Sequence, residues 1–570
     1  MKNIAAWIGS CLLSLSFLFS NEMPVVNTPL SHKVVIVGGG IIGALESYYA
    51  HLDAIKNGAK VRVIVYEKGS SFADLASSDN RSASTNTAYN IFPSLTTDEI
   101  LSVVPRGPEL VEKLAVLFSE SGGIRVDDAP GVNDSTAAVQ FKKAVDLYGQ
   151  DENHDDRTKH LLILGKMSMD LWQDLYEHAD DELQKILRAS NFNPCHDPKY
   201  HDEKILHDGY RIDLIYNVPD AQKRARGMQV TYAQLGYTHC QILSPKEVIA
   251  IDPSLTDFCK EHSDSSLNWK NNCSALWRPG GCISTRVFLP KFYAYLNKIM
   301  GTYTDVSGEP QDCFSLEFNK EVTAVELDDS SDLSIVGIKF SDGSWNRDDS
   351  YADICYVFCP GESVGTLNRL GFNEPAYAGF AGPSLFLNIP LSPEQSGKYN
   401  NFRHCMEVHK IGIVLAWQAR FKEDRLMIGV AGTKAFYGDQ LPTIDQDFAK
   451  NRHLVQLNMI NDILPDMVSI ACGHNTKGMQ LLTDDLNTLE NKGVLERWVG
   501  RRAVAYDGFP TLGALYCQGR KVNNARCTTH LGSGGVSFAP AAVQMSRSFE
   551  QFQDDFTNQI LHYADSRRHP

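Results

Sequence analysis

Lys33-Val34-Val35-Ile36-Val37-Gly38-Gly39-Gly40-Ile41-Ile42-Gly43 decides how this chain folds. Lys33 to Val37 is a short apolar run that stops at glycine, the mark of a buried strand. Ala44 to Lys56 then places apolar residues at Leu45, Tyr48, Tyr49, Leu52 and Ile55. That is the i, i+3, i+4, i+7 spacing of a helix packed on one face, and Asn57-Gly58 closes it as a C-cap does. Val61 to Tyr66 reads as a second buried strand. The pattern G-x-G-x-x-G therefore stands between a strand and a helix, the context that makes a weak pattern specific. Gly38 permits the tight turn, Gly40 lets the backbone approach a pyrophosphate, and Gly43 lets helix and strand pack closely. Ile41 and Ile42 open the helix, whose free N–H groups and positive dipole end favour phosphate. Glu67, with Lys68 beside it, ends the second strand and is the carboxylate expected to accept hydrogen bonds from an adenosine ribose. The ligand so described is a dinucleotide, and the unit would serve NAD or FAD.

Outward from this unit the chain is long. At about 150 residues per domain, 570 residues imply three to four domains or one large interleaved fold. A content of 43% hydrophobic and 22% charged residues excludes disorder and collagen. A formal charge of −15 opposes sequence-independent binding to phosphate backbones, so no nucleic acid partner is expected. Lys2 precedes an apolar run from Ile4 to Phe19, with small residues at Ser14, Ser16 and Ser20, which resembles a secretory signal peptide. The run falls short of the roughly 20 residues that span a bilayer, leaving an uncleaved anchor that tilts or thins the bilayer, or an inert hydrophobic start, as the alternatives. Thirteen cysteines leave twelve if the leader is removed, an even number, but no C-x-x-C pair exists and most stand singly. Buried free thiols are the expectation.

Further along, Met167 to Ala189 reads as helix after a polar loop at Asp151 to Arg157. Leu316 to Phe340 reads as paired strands closed by a turn at Ser341-Asp342-Gly343, and Met406 to Gly432 alternates as antiparallel sheet does.

Three groups of residues give a family resemblance: the opening glycine motif, the segment Arg81-Ser82-Ala83-Ser84-Thr85-Asn86-Thr87-Ala88, and the close from Gly500 to Pro540. Together they resemble the FAD-dependent D-amino acid oxidase superfamily, which includes glycine and sarcosine oxidases and D-amino acid dehydrogenases. The likeness covers both ends and leaves the middle poorly matched. It implies that Ser84, Thr85 and Asn86 wrap the pyrophosphate and ribityl chain. Pro279-Gly280-Gly281-Cys282-Ile283-Ser284 resembles the turn before the family's central helix. Glu321-Val322-Thr323-Ala324-Val325 resembles the strand whose first valine, here Val322, meets the adenine. Asp353 to Gly361 resembles the strand that returns the chain to the dinucleotide, with Gly361 near the phosphates.

In Gly500-Arg501-Arg502-Ala503-Val504-Ala505-Tyr506-Asp507-Gly508-Phe509-Pro510, Arg502 takes the place of the family's arginine before an Asp-Gly-x-Pro turn. In relatives acting on amino acids that arginine holds the substrate carboxylate, and a guanidinium gives the two parallel bonds that fix a carboxylate's plane. The family's next residue is usually proline and here is Ala503. The other reading of Arg502 is an ion pair with Asp507 or its neighbours. His530-Leu531-Gly532-Ser533-Gly534-Gly535, ahead of a helix beginning near Ser537, resembles the last flavin contact, with Gly532, Ser533, Gly534 and Gly535 at the pyrimidine edge. No histidine near Ser84 and no cysteine near Arg502 offers covalent attachment, so FAD is expected to be non-covalent.

The fold class expected is α/β: a Rossmann-like FAD-binding domain with a doubly wound sheet, interleaved with an antiparallel-sheet substrate domain and a helical insertion. Its divisions fall at 1–20 (signal or anchor), 33–110, 276–372 and 496–570 (FAD-binding), 111–275 (helical insertion) and 373–495 (antiparallel sheet). The function expected is hydride transfer from an amine or amino acid C–H to flavin N5, with a carboxylate-bearing substrate and oxygen or a quinone as electron acceptor. Two alternatives stand beside it: a 2-hydroxy acid dehydrogenase feeding a quinone, and a flavin-binding protein without turnover. A secreted, periplasmic or membrane-associated protein is expected from the N-terminus. The leader has only Lys2 where exported folded flavoproteins usually carry twin arginines, so attachment facing the cytoplasm is the alternative. No metal site is expected.

Overall fold

The computed structural model describes residues 30–72, 154–190, 210–263, 272–532 and 535–568 apart from short internal gaps, with isolated pieces of 94–147. The N-terminal run Ile4 to Phe19 lies outside the described residues. The opening unit is as expected: strand β1 (Leu30–Val37), helix α1 (Ile41–Lys56) and strand β2 (Lys60–Tyr66), with β1 and β2 parallel. Side chains alternate across a strand, and here the two faces bury different things. Val34, Ile36, Val63 and Val65 enter a core shared with helices, while Val35, Val37, Ile64 and Tyr66 enter a second core on the opposite face.

Later segments complete both layers. Helix α2 (His154–Glu177) begins inside the stretch expected as a polar loop, so His154 to Arg157 are helical. Strands β3 (Tyr210–Tyr216) and β4 (Cys273–Pro279) pair antiparallel, and helix α3 (Thr285–Met300) follows. Strand β5 (Phe314–Glu317) joins β2 in parallel, β6 (Val322–Asp328) and β7 (Ser334–Phe340) form an antiparallel pair, and β8 (Ile354–Phe358) lies parallel to β1. The β6–β7 pair covers one face of the parallel sheet through Val322, Ile335, Ile338 and Phe340, and the helices cover the other.

The second sheet, which already holds β3 and β4, gains β9 (Tyr377–Pro390), β10 (Cys405–Lys410), β11 (Ile413–Lys422) and β12 (Arg425–Gly432); β10, β11 and β12 are each antiparallel to the next, as the alternation from Met406 predicts, and β12 is antiparallel to β9. Helix α4 (Asp447–Ile463) packs on that sheet, and β13 (Leu495–Ala505) pairs with β9 over its whole length. Strands β14 (Thr511–Cys517) and β15 (Arg520–Thr529) return to the first sheet, and helix α5 (Ala539–Ser548) closes its helical layer. The first sheet has six strands in the order β5-β2-β1-β8-β15-β14, parallel except for the β14 edge. The second, of ten strands among the described residues, is mainly antiparallel. The fold is thus the expected α/β arrangement, with the chain passing back and forth between the two sheets.

Helix α1 differs from a one-sided amphipathic helix, because α3 and α5 pack against it from the side away from the sheet. Its residues from Ile41 to Ala50 are buried, Glu46 included, and the Glu46 carboxylate accepts from Arg526 at 2.7 Å and Arg547 at 3.4 Å. A carboxylate taken from water needs such partners. The ten described cysteines are free, most of them buried, consistent with thiols packed as small apolar residues. Among the described residues no helix is long and apolar enough to cross a membrane.

His453, in α4, is fully buried with Nε2 3.0 Å from the Trp498 carbonyl, and burial pushes its pKa down from 6.5 to about 4. His51 in α1 is lowered to about 4 by the same cause. Between those values the unfolded chain binds more protons than the folded one, so stability is lost as pH falls from 6.5 towards 4. Melting temperature is therefore expected to fall steadily across this window, and the fall should be shallower in His453→Gln, checked by calorimetry at several pH values.

Candidate functional site

The carboxyl ends of β1, β2 and β8 converge on one cavity of about 360 Å³, as ligand sites do in open parallel sheets. The glycine turn is shaped by two backbone approaches that exclude any other residue. A Cβ on Gly38 would lie 2.1 Å from the Cys359 carbonyl oxygen, and its φ of +114° disfavours side chains regardless of space. A Cβ on Gly43 would lie 2.1 Å from the Gly38 carbonyl oxygen, which is how the first turn of α1 can rest on the end of β1. Gly38, Gly40, Ile41 and Ile42 line the cavity, whereas Gly43 stands behind it in its packing role. The N-cap of α1 is Gly40, which has no side chain to cap the helix, so the first-turn N–H groups are left for a ligand at the positive dipole end.

Glu67 and Lys68 line the cavity at the end of β2. The Glu67 carboxylate accepts from the Gly39 amide at 2.7 Å through Oε2 and from the Gly69 amide at 2.8 Å through Oε1. It therefore braces the glycine turn as well as facing the cavity. Val322, at the start of β6, and Gly361, just beyond β8, complete this end. Cys359 also borders the cavity, but burial pushes its thiol well above the usual range, which keeps it protonated and unsuited to nucleophilic work.

Arg502 lines the same cavity, buried in β13 opposite Phe380 of β9. Its guanidinium lies across Gly382, where a Cβ would be 1.4 Å from Nη1. Gly382 and Gly500 face each other in the strand register, and a Cβ on Gly500 would meet the Trp498 ring at 1.8 Å. This glycine pair clears one face of the sheet for the indole and the guanidinium together. Asp507 is engaged elsewhere: it accepts from Arg568 Nε at 2.9 Å, from Arg157 Nη1 at 3.5 Å and from the Phe509 amide at 2.9 Å. The Asp507 carboxylate thus braces the turn that follows the Arg502 strand.

Gly532 and Gly535 line the cavity beyond β15. A turn over 535–538 separates this loop from α5, which begins at Ala539 with Pro540 in its first turn, slightly later than the sequence pattern suggests. Ser84, Thr85, Asn86, Ser533 and Gly534 lie outside the described residues. Sequence reasoning brought together the residues on both ends of the cavity and missed three that hold them. Gly382 sits in a segment with no motif, and only the register with β13 shows why it is glycine. His530 stood in the quoted close, but its partners Glu374 and Thr511 are distant in sequence and give no local signal. Among the described residues no cluster of histidine, cysteine or acidic side chains could hold a metal ion.

No family model and no curated protein matches the chain. A modified fructosyl peptide oxidase from Aspergillus nidulans, in contrast, aligns over 94% of this chain and 93% of its own, with a TM-score of 0.50 and 13% identity. The chain shares its fold with the fructosyl peptide oxidases. Glycine oxidase from Bacillus cereus aligns over 93% of this chain and 97% of its own with a TM-score of 0.49 and 14% identity. At such identity the likeness to fructosyl peptide oxidase speaks for architecture, in which the α/β class and the two-sheet arrangement expected from the sequence are those observed.

Two substitutions separate the ends of the site. Gly38→Ala forces backbone against backbone and is expected to cost more than about 2 kcal/mol of stability, measured by denaturant unfolding. Gly382→Ala meets only the far end of a flexible side chain, so the fold should survive with the Arg502 guanidinium displaced. If Arg502 clamps a carboxylate, its binding should then weaken about 10- to 100-fold while affinity for a dinucleotide at the Gly38 turn stays unchanged, as read by titrating each separately.

Proposed function

We infer that this chain is a FAD-dependent oxidoreductase that takes hydride from the C–H beside the nitrogen of an amine or amino acid carrying a carboxylate. The observation that carries this reading is that one cavity is lined by Gly38, Gly40 and Glu67 together with Arg502, Gly532 and Gly535. A cradle that any Cβ would fill, an uncapped helix start and a buried carboxylate fit the pyrophosphate and ribose of a dinucleotide. Continuation of the cavity to Thr528, Thr529 and Gly532 supports FAD, whose flavin end needs polar backbone contacts there. The shared architecture with fructosyl peptide oxidase supports FAD over NAD.

When bound, FAD supplies the hydride acceptor, and the protein supplies orientation and electrostatics. Gly38 and Gly40 allow main-chain approach to the phosphates, and Glu67 orients the ribose. Arg502 holds the substrate carboxylate in a fixed plane, and its burial strengthens that pairing by excluding water. Positioning of this kind lowers the barrier without an obligatory side-chain base, provided the substrate amine enters neutral. Non-covalent FAD, with oxygen or a quinone as electron acceptor, completes the reading. The apolar run from Ile4 to Phe19 supports export or membrane attachment, the setting in which a quinone would be reached. A 2-hydroxy acid would be held by the same arginine, and which substrate class reduces the flavin distinguishes the two.

The purified protein is expected to show flavin absorption released by denaturation, and anaerobic addition of one class among D- and L-amino acids, N-methyl amino acids and 2-hydroxy acids should bleach it. A colourless protein that takes up no FAD would overturn the cofactor reading. Arg502→Lys keeps the charge and loses the planar fork, so KM for the bleaching substrate should rise about 10- to 100-fold with the flavin spectrum unchanged.

A further inference from the structure

Behind His530, which lines the cavity, runs a largely buried polar chain. Arg568, near the C-terminus, donates through Nε to Asp507 at 2.9 Å and through Nη1 to the Thr511 hydroxyl at 3.1 Å. Thr511 Oγ1 lies 2.8 Å from His530 Nδ1, and His530 Nε2 lies 3.0 Å from Glu374 Oε1. Glu374 in turn accepts the Asn368 amide at 2.9 Å through Oε2. Thr511 is fully buried and His530 is 2% exposed, so each of these groups must find its partner inside the protein.

The donors and acceptors in this chain leave little freedom. Arg568 can only donate, so the Thr511 oxygen is its acceptor. Among the described residues the acceptor within reach of the Thr511 hydroxyl hydrogen is His530 Nδ1. His530 then carries its own proton on Nε2, directed at the Glu374 carboxylate, and its ring stacks 6.0 Å from the Tyr377 ring at 9° between planes. Its backbone is left-handed, with φ of 58°, a conformation that a non-glycine residue keeps when its surroundings over-determine it. The next residue, Leu531, bridges Val504, two positions beyond Arg502. Gly532, which lines the cavity, is also left-handed, with φ of 57°.

We propose that Arg568, Thr511 and His530 form a positioning relay that sets the cavity residues His530 to Gly532 in register with the Arg502 strand, so that Arg568 orders the active cavity. Asp507 anchors one end of the relay and Glu374 the other. Its consequence for the cofactor rests on the FAD reading, while its structural content is testable in the protein alone.

The test is hydrogen exchange on the full-length apoprotein, followed by FAD titration. Thr511→Val keeps the volume and the Arg568–Asp507 pair and removes only the hydroxyl. Exchange in peptides covering 500–507 and 528–536 should rise about 10-fold, with peptides from β10 to β12 unchanged. Thr511→Ser should restore the original rates, and Arg567→Ala, beside the relay on an exposed side chain, should not alter them. Arg568→Lys can reach Asp507 or Thr511 but not both and should resemble the valine variant. Unchanged exchange in Thr511→Val, a serine variant as loose as the valine one, or an Arg568→Lys protein indistinguishable from wild type would each overturn the relay. FAD should dissociate about 10-fold more readily from Thr511→Val than from wild type or Thr511→Ser. A wild-type chain that binds no FAD would sink the cofactor reading, and the exchange rates would still decide this one.

Discussion

Two carbonyl oxygens govern how this molecule is assembled. The Cys359 oxygen at the end of β8 leaves no room for a Cβ on Gly38, and the Gly38 oxygen leaves none on Gly43. Through these approaches the ends of β1 and β8 and the start of α1 come together with only backbone between them. The turn so formed is braced from below by the Glu67 carboxylate, which takes the amides of Gly39 and Gly69. The alternating faces of β1 and β2 can then be covered by helices on one side and by the β6–β7 pair on the other. Relaxing either approach by a methyl group would push the helix off the sheet and close the space in which a pyrophosphate would lie.

A second constraint of the same kind operates at the far end. Gly382 and Gly500, paired across β9 and β13, clear the sheet face for the Arg502 guanidinium and the Trp498 indole. Both ends of the cavity are therefore set by absent side chains, one where main chain would meet a dinucleotide and one where a long cation is laid flat on a strand. Polar burial is balanced by local partners: Glu46 between Arg526 and Arg547, Asp507 between Arg568 and Arg157. A charge left without such a partner inside the protein would cost more than most single contacts contribute.

How much of this was legible beforehand follows from the range of the interactions involved. The β1–α1–β2 unit was readable because its signals are local: a run of apolar residues, helical spacing and glycines at fixed offsets. The alternating strands from Met406 to Gly432 were readable for the same reason. The start of α2 was not, because polar residues from His154 to Arg157 carry no apolar periodicity and their helicity depends on what the helix packs against. Nor was the burial of α1 from Ile41 to Ala50, since α3 and α5 arrive from residues far along the chain.

The amino-acid sequence by itself determined the strand–glycine turn–helix unit and the α/β class, and pointed to Glu67 and Arg502, because each depends on residues close together or on a contiguous motif. Tertiary structure alone decided that these groups share one cavity, that Asp507 pairs with Arg568 and Arg157, and that Gly382, Glu374 and Thr511 matter. Those facts arise from strand register and from contacts between residues hundreds of positions apart, such as the 350 between Arg157 and Asp507. Register is fixed only when whole sheets bury their apolar faces together, and no local pattern carries that information.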